Sequence, residues 1–325
     1  MTGNDKPAIA VWGVGAHARR NLIPAIASSS SWRLAGLLSR NRTVTKAVAA
    51  PLGARVYEGE AELLSDPSVA AVLLAGPNGV HYGQAKAVLG SGKAALVEKS
   101  FCESYDEAAE LVALAEAQRV LVAECFSYVY HPQFERLKES LSAAGRVSSL
   151  TARFGFPFRE PADIRYRRDL AGGALLDVGA YCLSAMARLL AGPAKVKWAR
   201  MDTQSGYEVD TGGQAVVEMA GGVVGLCDWG FGRAYRNEVE VWGDRAWLRT
   251  ERIFAKPDEL STAIRIIHQQ DNRPENVDVP AANAFAGMLA DMAIARTDKQ
   301  MQADLRSGIL DQAALIRDVR RLAGY

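Results

Sequence analysis

Ala8-Ile9-Ala10-Val11-Trp12 runs directly into Gly13-Val14-Gly15-Ala16-His17-Ala18. An apolar run of strand length feeds a glycine turn, and Arg19 to Ala27 continues with helical character. This is the GxGxxA form of the dinucleotide fingerprint in its strand–turn–helix context. Gly13 permits the tight turn, Gly15 leaves the backbone open to a pyrophosphate, and Ala18 lets the helix pack closely on the strand. Unpaired N–H groups and the positive end of the helix dipole favour phosphate there. The candidate phosphate-binding set is Gly13, Val14, Gly15, Ala16 and His17. In a chain with 29 glycines the motif alone is weak, and a tight turn that binds nothing remains the alternative.

Working outward, Trp32 to Leu38 reads as the second strand and ends at Ser39-Arg40-Asn41-Arg42. An NAD-preferring fold places Asp or Glu at this strand end to take the ribose hydroxyls. Here a small hydroxyl, Ser39, is followed by Arg40 and Arg42. Guanidinium groups bind a 2′-phosphate that a carboxylate would repel, so NADP(H) is favoured over NAD(H). The bland alternative is a pair of arginines solvating a loop. Further on, Val69 to Leu74 and Ala94 to Val97 are continuous apolar runs, as strands buried on both faces should be. Helical segments alternate with them, which predicts an α/β fold with a doubly wound parallel sheet. Ligands then bind beyond the carboxyl ends of the strands. That adds Gly76, Pro77, Asn78, His81, Glu98 and Lys99 to the cofactor-facing candidates.

The second half has a different rhythm. Tyr130 to Leu141 reads as helix, Val147 to Phe156 as strand, and Pro157 to Asp169 as a loop with four arginines. A helix from Ala174 to Leu190 follows, with Asp177 and Tyr181 four residues apart and therefore on one face. Strands are then expected over Val196–Asp202, Gln214–Met219, Val223–Phe231, Glu238–Val241, Ala246–Arg249 and Ala263–His268. The alternation in Glu238-Val239-Glu240-Val241-Trp242 suits a sheet with one wet face. Ala282–Ala295 and Ile309–Leu322 read as closing helices.

Composition narrows the function classes. At 325 residues two domains are the default. A net charge of +1 and the lack of a basic stripe with interleaved aromatics argue against nucleic acid. The densest basic run, Arg165-Tyr166-Arg167-Arg168, reads equally well as a solvated loop or as a rim for an anionic substrate. Four scattered cysteines and four histidines show no metal spacing, so no metal is expected and a reduced compartment is favoured. No run reads as long and apolar enough for a membrane, and the start is polar with a strand directly after it. The expected location is the cytoplasm.

Several segments together resemble the glucose–fructose oxidoreductase / inositol dehydrogenase / rhizopine-catabolism (Gfo/Idh/MocA) family. They are the glycine turn, Leu74-Ala75-Gly76-Pro77-Asn78 with His81, Gly92-Lys93 through Val97-Glu98-Lys99, Glu124 through Tyr130-His131-Pro132, and Leu170 through Asp177 to Tyr181. Their order and spacing agree over most of the chain. The resemblance implies a Rossmann domain, 1–124, that binds NADP. It implies a substrate-binding and oligomerisation domain, 125–325, with a large, mostly antiparallel sheet. It also implies a homo-oligomer, dimer or tetramer. The family usually has Glu-Lys-Pro where this chain has Glu98-Lys99-Ser100, so both isomers of the Lys99–Ser100 bond stay open.

Carbonyl reduction needs a hydride at carbon and a proton at oxygen. Tyrosine titrates near 10 in water and works best as an acid beside a cation that stabilises its phenolate. The expected catalytic set is Tyr181 as proton donor, Lys99 as its partner and second donor, and Asp177 as orienter. Tyr181 stands where much of the family has histidine, resembling the branch of sugar ketoreductases, NADP-dependent xylose dehydrogenase and dihydrodiol dehydrogenase. Tyr128, Arg165 and Tyr181 are the substrate-binding candidates, and Arg159, Arg165, Arg167 or Arg168 would meet phosphates on a nucleotide-linked ketosugar. The alternatives are an oxidative sugar or dihydrodiol dehydrogenase and a dinucleotide-binding regulator without turnover.

Overall fold

A computed structural model describes residues 6–190 and 192–325. The described residues form two compact units, one running up to Ser127 and including 285–310, the other drawn from 128–284 and 311–325. The first unit is a six-stranded sheet in the order β3-β2-β1-β4-β5-β6, parallel throughout. Its strands are β1 (Ala8–Trp12), β2 (Arg33–Leu38), β3 (Arg55–Val56), β4 (Val69–Leu74), β5 (Ala94–Glu98) and β6 (Val122–Cys125). The order reverses at β1, the position at which doubly wound folds bind dinucleotides. Ile9, Val72, Leu73, Leu96 and Val97 are fully buried, which accounts for the unbroken apolar runs.

The helices of this unit include α1 (Ile23–Ala27), α2 (Arg42–Ala49), α3 (Glu60–Ser65), α4 (Asn78–Gly90) and α5 (Tyr105–Gln118). Asn41 caps α2, its Oδ1 accepting from the Val44 N–H at 3.1 Å. Ser104 and Glu107 close a reciprocal capping box on α5. A widened π-type turn over Ala18–Leu22 leads into α1.

In the second unit α6 (Pro132–Ala144) precedes β7 (Val147–Phe156), and α7 (Ala180–Leu189) follows a loop. Then come β8 (Lys195–Asp202), β9 (Gly212–Glu218), β10 (Val224–Phe231), β11 (Arg236–Gly243), β12 (Ala246–Glu251), β13 (Thr262–His268) and β14 (Pro274–Val279). The order β14-β13-β12-β11-β7-β10-β9-β8 is antiparallel except at β7–β10. Helices α6 and α7 pack on the sheet. Helix α8 (Ala284–Ala295) falls in the first unit from Phe285 onward, where Leu289 O accepts from the buried Trp32 indole at 2.7 Å. Helix α9 (Lys299–Ala323) is shared between the units, divided after Leu310.

Four features differ from the sequence reading. Strand β14 is mostly exposed, so it lacks the apolar alternation that marks a strand. Helix α9 begins at Lys299 rather than Ile309, because Asp298 accepts from the N–H groups of Gln300 and Met301 and caps a polar first stretch. Glu238, expected on a wet face, is 3% exposed, with its carboxylate held by Arg153, Arg236 and Arg249. Arg168–Leu189 does meet the length and hydropathy of a membrane span, at 22 residues and a mean of 1.4, but 72% of that window is buried inside the protein. It is a core segment in a unit with its own sheet.

Candidate active site

The candidate residues fall into two groups, one in each unit. In the first, Gly13 adopts φ +116°, and a Cβ there would stand 2.6 Å from the Ala75 carbonyl carbon. The glycine turn therefore rests directly on the segment after β4. Gly13 N–H donates to Leu38 O at 2.8 Å and Ala75 N–H to Trp12 O at 2.9 Å, tying the ends of β1, β2 and β4 together. A Cβ on Gly15 would meet nothing within 4 Å, so this face of the turn is open. Buried Val14 anchors the turn, while Ala16 and His17 are exposed at the helix start. Ser39 is half-buried and Arg40 exposed at the end of β2. Arg42 is turned elsewhere: it donates to the carbonyls of Tyr57 and Glu58 at 3.2 and 3.0 Å and pairs with the Glu58 carboxylate.

The ends of β4 and β5 are also bound to each other. Half-buried Pro77 and Asn78 open α4, and Asn78 Oδ1 accepts from Ser100 N–H at 3.2 Å. His81 lies beneath, fully buried, with Nδ1 2.8 Å from Ser100 O and Nε2 3.0 Å from Gly76 O. Burial pushes its pKa down. It joins the turn after β4 to the turn after β5. The Lys99–Ser100 bond is cis. Glu98 approaches His17, Nε2 to Oε2 at 3.6 Å, and its Oε1 is buried with no hydrogen-bond partner among the described residues. Glu124, buried on β6, holds the following turn by accepting from Phe101 N–H at 2.9 Å.

In the second group, Asp177 sits in a widened π-type turn, Leu175–Gly179, that leads into α7. Arg165 Nε donates to Asp177 Oδ2 at 2.7 Å, and its Nη1 pairs with Asp163 at 3.1 Å. Arg165 is thus spent on two carboxylates of its own unit rather than standing open as a rim. The half-buried Tyr181 ring packs edge-on against Phe154 and Tyr128, at 5.4 and 5.8 Å, and lies tilted 5.5 Å from Phe254. Tyr128 is 2% exposed and donates to Ser184 Oγ at 3.0 Å, which makes it the wall behind Tyr181. Gly179 has no room for a side chain, since a Cβ would press on the Trp229 ring at 3.0 Å.

A family model described as an oxidoreductase family with an NAD-binding Rossmann fold matches residues 8–126, and the Gfo/Idh/MocA C-terminal domain matches 134–249. A dTDP-3,4-didehydro-2,6-dideoxy-alpha-D-glucose 3-reductase of Streptomyces violaceoruber is 31% identical over 97% of this chain and 95% of its own. The chain belongs to the Gfo/Idh/MocA family of oxidoreductases. A D-xylose 1-dehydrogenase (NADP(+)) of Haloferax volcanii is 36% identical over 65% of the chain and 66% of its own. The 3-ketoreductase KijD10 of Actinomadura kijaniata, solved with NADP and TDP-benzene, is 28% identical and superposes with a TM-score of 0.92 over 98% of both chains.

The Gfo/Idh/MocA fold of this chain suits a dinucleotide: the open face at Gly15 and the close contact at Gly13 leave a cradle at the helix start that a side chain would fill. One residue of this Gfo/Idh/MocA chain escaped the sequence reading. Asp210 Oδ2 accepts from Leu175 N–H at 2.6 Å, and its backbone carbonyl accepts from Ala174 N–H at 2.9 Å. It caps the start of the segment bearing Asp177 and Tyr181, and a Cβ on Gly173 would collide with it at 2.2 Å. Burial raises the Asp210 carboxyl to about 6, partly opposed by the Leu175 N–H and the charge of Arg320. The native state then holds a proton that the unfolded chain gives up near pH 4. The stability this contributes is present below pH 4 and is lost as pH rises through 6. Relative to Asp210→Asn, the wild type should lose about 3 kcal/mol between pH 4 and pH 8. Urea unfolding at both pH values measures it, and a difference that does not change with pH refutes it.

Proposed function

We propose that this chain is an NADP(H)-dependent reductase of a keto group on a sugar-like substrate, first among them a nucleotide-linked ketosugar. The observation that carries the reading is Asp177 fixed by Arg165 one turn before Tyr181, whose ring is held in an aromatic wall. Gly13 to His17, with Ser39 and Arg40, would hold the cofactor's phosphates. When bound, the reduced nicotinamide supplies the hydride. Tyr181 Oη donates the proton to the substrate oxygen, and the Lys99 ammonium stabilises the phenolate that remains. Asp177, kept in place by Arg165, orients the substrate hydroxyl beside the reacting carbon. Relatives support this: the Streptomyces reductase is named for a dTDP-linked keto sugar, and KijD10 binds NADP and TDP-benzene. Tyrosine and lysine are also the residue types substituted in further KijD10 structures. Oxidation of a sugar hydroxyl is the second reading, favoured by the likeness to the xylose dehydrogenase.

Fluorescence titration with NADPH and NADH, followed by a screen of dTDP-linked ketosugars and free sugars at the nicotinamide absorbance, tests both readings. Cofactor binding without turnover on any of them leaves a dinucleotide-binding regulator instead. The reading includes a cytoplasmic enzyme, supported by four buried, unpaired thiols that suit a reducing compartment. Cell fractionation with recovery outside the cytoplasm refutes that part.

It also includes a homodimer or homotetramer formed through one face of the large sheet. Cross-strand register sets Trp198 and Leu226 opposite Val216, and Val224 and Trp242 opposite Ser149, on that face. They are 49, 41, 43 and 63% exposed, an unusual display for a monomer. Leu226→Glu with Trp242→Glu should yield a folded monomer by sedimentation. A wild type that is already monomeric overturns this part.

A further inference from the structure

The sequence offers four arginines for an anionic substrate group, and the structure tells them apart. Arg165 is engaged by Asp177 and Asp163, and Arg167 by Asp169. Arg168 is exposed. Arg159 is different. Its guanidinium lies 5.0 Å over the Phe156 ring and has no carboxylate partner among the described residues. Its backbone is pinned as well, the N–H donating to Tyr166 Oη at 2.8 Å. Tyr166 is itself buried against Phe158, Tyr207 and Phe231.

Phe156 leads back to the candidate catalytic tyrosine. Residues two apart on a strand share a face, so Phe154 and Phe156 lie side by side on β7. Their centroids are 6.3 Å apart, and Phe154 is 5.4 Å from Tyr181. Tyr181, Phe154, Phe156 and Arg159 therefore form a chain of neighbours: a candidate proton donor, two aromatic rings, the first of them buried, and a cation without a carboxylate partner among the described residues. A sugar at Tyr181 whose diphosphate extends past the half-buried Phe156 to the exposed Arg159 matches this order of chemistry. Guanidinium is the group best shaped to take two phosphate oxygens at once, and stacking on Phe156 holds it ready.

We infer that Arg159 is the anion-binding arm of the substrate site and takes the diphosphate of a nucleotide-linked sugar. This rests on the ketosugar reading above. The test is calorimetry on the full chain saturated with NADPH, so that the cofactor's own phosphate site is filled, with thymidine diphosphate as ligand and thymidine as its phosphate-free control. Arg159→Ala should weaken thymidine diphosphate binding by about tenfold or more, the scale of one charge-assisted contact, and leave thymidine unaffected. Arg159→Lys should recover part of the loss, and Arg168→Ala should stay within about twofold of wild type. An Arg159→Ala protein that binds the diphosphate like wild type overturns the inference, as does an equal loss in Arg168→Ala. Arg159-dependent binding with no ketosugar turned over sinks the reductase reading and leaves the arm standing. Turnover of a phosphate-free ketosugar with no binding of thymidine diphosphate does the reverse.

Discussion

Tyr181→Phe should lower kcat by about 10²–10⁴-fold while the NADPH dissociation constant stays within a few-fold of wild type. The substitution removes one oxygen and leaves the ring. Packing against Phe154, Tyr128 and Phe254, at 5.4 to 5.8 Å, survives, so a folding defect is not the expected cause of the loss. Circular dichroism and the thermal midpoint check this directly. Lys99→Met should cost a similar factor. If the two groups act as a unit, the double variant loses little beyond the worse single one, since the proton donor and its stabiliser serve one step. Simple multiplication of the two losses would separate their roles. A Tyr181→Phe enzyme within about threefold of wild type would remove the phenol from the chemistry altogether.

Much of the first unit was legible because its signals are local. A buried strand shows as an apolar run, and a turn that presses on Ala75 tolerates only glycine at position 13. The second unit hides more. The widened turn at Leu175–Gly179 has no spacing signature, because the same residues would also make an ordinary helix. The Arg165–Asp177 pair joins the short turn Ile164–Tyr166 to the widened turn Leu175–Gly179, a contact that neither reading of the basic run, solvated loop or substrate rim, contained. Asp210 reaches its helix across 35 residues, and Glu238 collects arginines from β7, β11 and β12. Most of these contacts join residues far apart in sequence, Arg236 beside Glu238 excepted, and residue type alone gives no partner. His81 shows the same limit: its place in a family motif said nothing of the Ser100 and Gly76 carbonyls that its ring meets.

Ser39→Asp combined with Arg40→Ala should change the cofactor preference, measured as the ratio of kcat/KM for NADPH to that for NADH, by about 10²–10⁴-fold toward NADH. The end of β2 is tied to the glycine turn by the bond from Gly13 N–H to Leu38 O at 2.8 Å. Residue 39 would therefore stand next to the adenosine ribose of a dinucleotide whose pyrophosphate occupied that turn. Arg40 is exposed and would offer a charged fork to a 2′-phosphate. Removing it deletes the attraction, and the new carboxylate repels the phosphate while accepting hydrogen bonds from ribose hydroxyls. Arg42 was grouped with Arg40 by sequence, yet its guanidinium is committed to Glu58 and two carbonyls. Arg42→Ala should accordingly leave the ratio within about threefold, because the few tenths to one kcal/mol of an exposed ion pair lie in the α2 region and not in the phosphate site. The two results together locate the selectivity. A double variant that still prefers NADPH by the wild-type factor, or an Arg42→Ala protein that loses the preference, would move the determinant away from Ser39 and Arg40.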